Sequence, residues 1–199
     1  MNMSFAQELE KRRSIYAIGK NTTLTETEIT DLIKHAIRFS PSSFNSQSSR
    51  AVILFNEFHE KFWEIVCETL RPLVTEDAFA STLKRIKGFS AGKCTVLFYE
   101  DQPVIAQLQE KYPLYAENFP IWSEHSTAMA QLAVWTILSE NNIGASLQHY
   151  NPIADTAVAQ EFKVPDTWKL RAQLVFGSIE GHAYDKTIMP DDDRFKIFL

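Results

Sequence analysis

The chain has 199 residues and a mass of 22.8 kDa, with 45% hydrophobic residues, 23% charged residues and a formal net charge of −5. That length and composition suit a single globular domain over residues 1–199 with a sizeable core. The mild negative charge offers no basic stripe for a phosphate backbone and argues against nucleic-acid binding.

Met1 to Lys11 is polar and charged, unlike a secretory signal. The longest apolar run, Ala128 to Leu138, is broken by Gln131 and Thr136 and is too short to span a bilayer, so no membrane span is expected. Cys67 and Cys94 form no CxxC pair, which suits two buried free thiols in a reducing, cytoplasmic setting.

In chain order, Ser4 with Gln7 forms a capping-box signature that predicts a short helix to about Arg12. Thr25 with Glu28 repeats it. Ile29, Leu32, Ile33, Ala36 and Ile37 then recur at helical spacing until Pro41 forbids continuation. Ala51 to Phe55 is a compact β-branched run, predicted as a strand. Phe58, Phe62, Ile65, Val66 and Leu70 mark an amphipathic helix, and Cys94 to Tyr99 a second strand. Trp122 to Leu138 is apolar nearly all round, the mark of a buried spine or an interface helix. Ala145 to Tyr150 reads as a strand or an extended loop. Leu170, Ala172, Leu174 and Phe176 alternate with Arg171, Gln173 and Val175, the clearest strand pattern in the chain. From Ala183 the tail is polar and acidic until Arg194-Phe195-Lys196-Ile197-Phe198. The elements do not alternate strictly, which predicts an α+β fold, a modest sheet with helices packed around it.

Much familiar chemistry is absent. There is no GxGxxG dinucleotide fingerprint, Walker lysine motif, HExxH or GxSxG. The five histidines show no metal-ligand spacing, so no metal site is expected, and each reads first as a structural residue. Two segments do carry binding chemistry. Arg12-Arg13-Ser14 at the end of a helix offers two guanidinium groups and a hydroxyl that can clamp a phosphate. The same residues would also serve as a solvated basic helix end. Ser40 to Arg50 is dense in Ser, Asn and Gln, whose paired donors and acceptors suit the polar edge of a heterocycle or simply an ordinary turn.

Arg12-Arg13-Ser14, then P-S-S-x-N-x-Q at 41–47, G-A-S-L-Q-H-Y at 144–150, a strand reaching Phe176-Gly177 and a terminal Arg194-x-Lys196 resemble, in that order, the nitroreductase family of flavoproteins. The resemblance implies a central mixed, mostly antiparallel sheet surrounded by helices, in a homodimer whose C-terminal tail reaches across. It implies bound FMN, with NADH or NADPH as co-substrate and small planar electron acceptors such as nitroaromatics or quinones reduced by a ping-pong cycle. No side chain would act as a catalytic acid or base. Arg12, Arg13 and Ser14 would hold the FMN phosphate with Arg194 and Lys196, leaving Phe195 and Ile197 facing the core. Ser42, Ser43, Asn45 and Gln47 would pack on the flavin ring from the partner subunit. Gln148, His149 and Tyr150 would line its other face, with a backbone N–H near His149 approaching the reactive ring. Tyr16 departs from the Arg or Lys that many members carry near the flavin pyrimidine, and it supplies no full charge. Two other readings stay open from the residues: a flavin-binding redox sensor without turnover, and a helical interaction protein whose Arg12/Arg13 pair is surface charge.

Overall fold

The computed structural model describes residues 4–199; residues 1–3, the start of the polar N-terminal stretch, lie outside that description. In chain order the elements are α1 (Phe5–Lys11), β1 (Ile18–Gly19), α2 (Glu26–Phe39), β2 (Ser49–Phe55), α3 (Asn56–Leu70), α4 (Glu76–Ser90), β3 (Cys94–Asp101), α5 (Gln102–Lys111), α6 (Phe119–Glu140), β4 (Ile143–Gln148), α7 (Asp155–Phe162), β5 (Trp168–Ile179) and α8 (Asp191–Arg194). Both capping boxes form. Ser4 and Thr25 each accept a hydrogen bond from the backbone three residues on, while Gln7 and Glu28 reach back to the cap.

β5 is the centre of a five-stranded sheet. β4 pairs with one side of it, β3 and then β2 follow on the other, and the short β1 pairs with its far end. Every named pair is antiparallel, and one isolated parallel bridge joins Ser14 to Ala145. The fold is α+β with a mostly antiparallel sheet, as expected.

The sheet is covered on both faces. Along β3, Val96 and Phe98 enter one apolar cluster with Ile29, Ile33, Val134, Leu138, Leu174 and Phe176. Leu97 and Tyr99, pointing the other way, join Phe62, Trp63, Val66, Phe89 and Val175. β5 is buried on both sides, Gln173 and Val175 included, because α3 and α4 cover the side that α2 and α6 do not. One correction follows. Cys94 is buried as expected, but Cys67 is only half-buried near the rim of α3.

Four helices depart from the sequence reading, which predicts none over α4, α5, α7 or α8. α4 had a signal in Phe79, Leu83 and Ile86. α5 and α7 bury a single residue each, Ile105 and Val158, too little for a visible stripe. Among the described residues no helix is long and apolar enough to cross a membrane.

Candidate functional site

α1 ends at Arg12, whose backbone turns extended (φ −63, ψ 109) and sends successive side chains to opposite sides. The Ile15 N–H then donates to the Ala145 carbonyl at 2.9 Å and ties this stretch to the edge of β4. Arg12 turns inward, its guanidinium 4.3 Å from the centre of the Trp135 ring on α6. Among the described residues its buried Nε has no hydrogen-bond partner, and burial, followed by the adjacent Arg13, lowers its pKa from the ordinary value. A desolvated guanidinium with an idle donor favours an anion at that spot.

Arg12, Arg13, Ser14 and Tyr16 line one wall of a cavity of about 410 Å³, and Tyr184, Asp185, Lys186 and Thr187 line the other. At Tyr16 and Tyr184 this space adjoins a larger one of about 670 Å³, lined also by Phe89 and Gln148 and by Ser81, Lys84, Arg85 and Gly88 of α4. Together they form one cleft, with Arg12, Arg13 and Ser14 at its smaller end, Phe89 and Gln148 beside Lys84 and Arg85 at its larger end, and Tyr16 and Tyr184 between. Gln148 is held by a hydrogen bond from its amide Nε2 to Ser146 Oγ at 3.0 Å.

The remaining sequence-predicted residues fall elsewhere. His149 is exposed just beyond β4. Tyr150, half-buried, packs against the core: its N–H donates to Gln173 Oε1 at 2.7 Å and its ring meets Trp63 edge-on at 5.7 Å. Burial raises the Tyr150 phenol pKa, while Arg85 pulls it down. Ser42 and Gln47 line a separate cavity of about 210 Å³ with Arg38, Arg50 and Ser126, and its lining shares no residue with the cleft. Ser42 Oγ accepts from the Gln47 N–H at 3.0 Å and the Ser43 carbonyl from the Ser46 N–H, while Asn45 stands exposed. Phe44, Asn45 and Gln47 all have positive φ. That loop is fastened by Arg50, which donates to the Gln47 carbonyl at 2.6 Å and pairs with Asp101 at 2.8 Å.

Arg194 and Lys196 sit on the tail outside the lining of the cleft. Phe195 and Ile197, expected to face the core, are 56% and 76% exposed. Within a single chain that expectation fails: both side chains stay in solvent.

The sequence reading misses the α4 wall and the segment around Tyr184. The first had a legible sign: Ser81, Lys84, Arg85 and Gly88 fall at helical spacing on one face. Tyr184 to Thr187 had none, since that stretch reads only as part of a polar, acidic tail.

The description of the nitroreductase family matches residues 9–178. Two proteins of Saccharomyces cerevisiae are relatives over nearly the whole chain. HBN1 is 32% identical over 191 residues, 95% of each chain, and the nitroreductase FRM2 is 29% identical over 196 residues, 96% of this chain and 93% of its own. Nitroreductase CinD of Lactococcus lactis, solved in complexes with nicotinic acid, chloramphenicol and 4-nitrophenol, is 48% identical. Its structures superpose with TM-scores of 0.90 to 0.92 over 98% of this chain and 100% of CinD. The matched span carries the Arg12 turn, the loop before β2 and the β4 wall of the cleft, and so this chain belongs to the nitroreductase family of oxidoreductases.

Proposed function

We propose that the protein is an FMN-dependent reductase that is reduced by NADH or NADPH and then reduces flat, electron-poor acceptors such as nitroaromatics or quinones in a ping-pong cycle. The observation that carries this reading is Arg12, a half-buried guanidinium whose buried Nε is unpartnered among the described residues, at the polar end of a cleft whose larger end carries Tyr16, Phe89 and Tyr184. A phosphate with a planar ring system fits that polarity. When bound, FMN supplies the electron storage that no side chain here provides. Arg12 and Ser14 would hold its phosphate, Gln148 would meet the polar edge of the ring, and Tyr16 would offer a hydroxyl where a full charge is missing. The ligands of CinD, two of them nitroaromatic, are of the shape that such a pocket takes.

We also infer a homodimer. Ile121, Met129 and Leu132 leave an apolar stripe exposed on α6, at 54%, 40% and 43%. A second copy laid on this face would bury it, bring the Ser42–Gln47 loop to the partner's cleft and give Phe195 and Ile197 a surface to cover.

The test is direct. The purified protein should be yellow or take up FMN on titration, and either nicotinamide should bleach it until a quinone restores the colour. Arg12→Ala should weaken FMN binding at least about tenfold, the loss of one charge-assisted contact. A chain that takes up no FMN contradicts the reading, and flavin that no nicotinamide bleaches marks a binding protein without turnover.

A further inference from the structure

Tyr16 and Tyr184 are the two residues common to both halves of the cleft. Tyr184 lies beyond residues 9–178, so this wall belongs to a part of the chain that the family description does not cover. The two rings face each other with centroids 5.7 Å apart and planes tilted by 32°. Tyr184 is 74% exposed, a large amphipathic ring left to water beside a cavity. Aromatic surface in that position is well placed to be covered by another flat ring.

What holds Tyr184 there is Arg13, whose Nη2 donates to the Tyr184 carbonyl. The extended turn at Arg12 explains the split between neighbours: Arg12 points in over Trp135, so Arg13 points out toward the 184–187 segment. Adjacent arginines of like appearance therefore have different partners.

We propose that Arg13 is a positioning residue that straps residues 184–187 over the cleft, and that Tyr184, paired with Tyr16, selects a flat aromatic substrate ring. Arg12 alone of the pair then serves the anionic group. This rests on the FMN reading for the identity of the reaction, but the strap itself does not.

In the flavin-free protein, amide hydrogen exchange at 184–187 should quicken in Arg13→Ala and stay at the wild-type rate in Arg12→Ala. Equal exchange in the two variants overturns the anchor whatever the flavin does. In the FMN-loaded protein, Arg13→Ala should weaken FMN binding clearly less than Arg12→Ala does, because it loosens a wall of the cleft and removes no contact to the phosphate. A loss matching that of Arg12→Ala makes Arg13 a phosphate ligand and overturns the division. Tyr184→Ala should raise KM for dinitrobenzene about fivefold more than for ferricyanide, which has no flat face to stack. Tyr184→Phe should behave as wild type, because the ring rather than the hydroxyl is used. An equal effect on both acceptors overturns the selective role. Failure of the wild-type protein to bind FMN at all would sink the reductase reading and is seen separately.

Discussion

His59 lies fully buried in α3, where the sequence gives it no partner. Its Nε2 faces the Ser90 carbonyl at 3.3 Å, an acceptor only, so Nε2 carries the proton and Nδ1 accepts from Thr95 Oγ1 at 2.9 Å. Thr95 Oγ1 in turn accepts from Trp63 Nε1 at 3.0 Å. The ring is thus held neutral, and burial above all pushes its pKa down to about 4. Between that value and the ordinary 6.5 the unfolded chain binds a proton that the folded chain refuses. Stability from this group is therefore full above pH 6.5 and is lost as pH falls toward 4, at up to about 1.4 kcal/mol per pH unit. Urea melts across that window should show the slope in wild type and a shallower one in His59→Gln. Gly177 is fixed by space: a Cβ there would stand 2.0 Å from the Gly19 carbonyl oxygen where β1 meets β5. Gly177→Ala should cost about 3 kcal/mol, the upper end of overpacking, read from the shift of a denaturation midpoint.

Elements with strong end signals and a full apolar face were legible. α2 is one, with Thr25 capping it and Ile29, Ile33 and Ala36 buried. Thr25→Ala should lower stability by about 1 kcal/mol, and an unchanged thermal midpoint would deny the cap its role. β2 and β3 were readable because β-branched runs packed on both faces leave little else to be. α5 and α7 were not, since each rests on one buried residue. The loop at 42–49 shows the same limit for the site. Its residue types were legible, but the left-handed backbone at Phe44, Asn45 and Gln47 was not, and Phe44 is held from afar. Phe44 packs against Tyr112 at 4.8 Å and Phe119 at 5.3 Å, across about seventy residues of chain that no local pattern connects.

At the scale of the whole molecule, apolar surface remains that one chain cannot bury. The stripe on α6, Phe39 and the tail residues Phe195, Ile197 and Phe198 are all exposed. Leu132→Glu, a charge placed in the middle of the stripe, should shift the protein toward monomer in sedimentation and weaken FMN binding in the same variant. A monomeric wild type that keeps its flavin would refute the shared site. Local residue order by itself determined the helix starts, the strand runs, the lack of nucleotide and metal motifs, and the basic Arg12–Ser14 turn. Only the tertiary structure decided that Arg12 packs over Trp135 while Arg13 reaches Tyr184, that α4 and Tyr184 wall the cleft, and that Tyr150 packs half-buried against the core. The reason is physical: periodicity and capping act over a few residues, whereas a cleft is made where distant segments meet, and their meeting is set by how the sheet buries both of its faces.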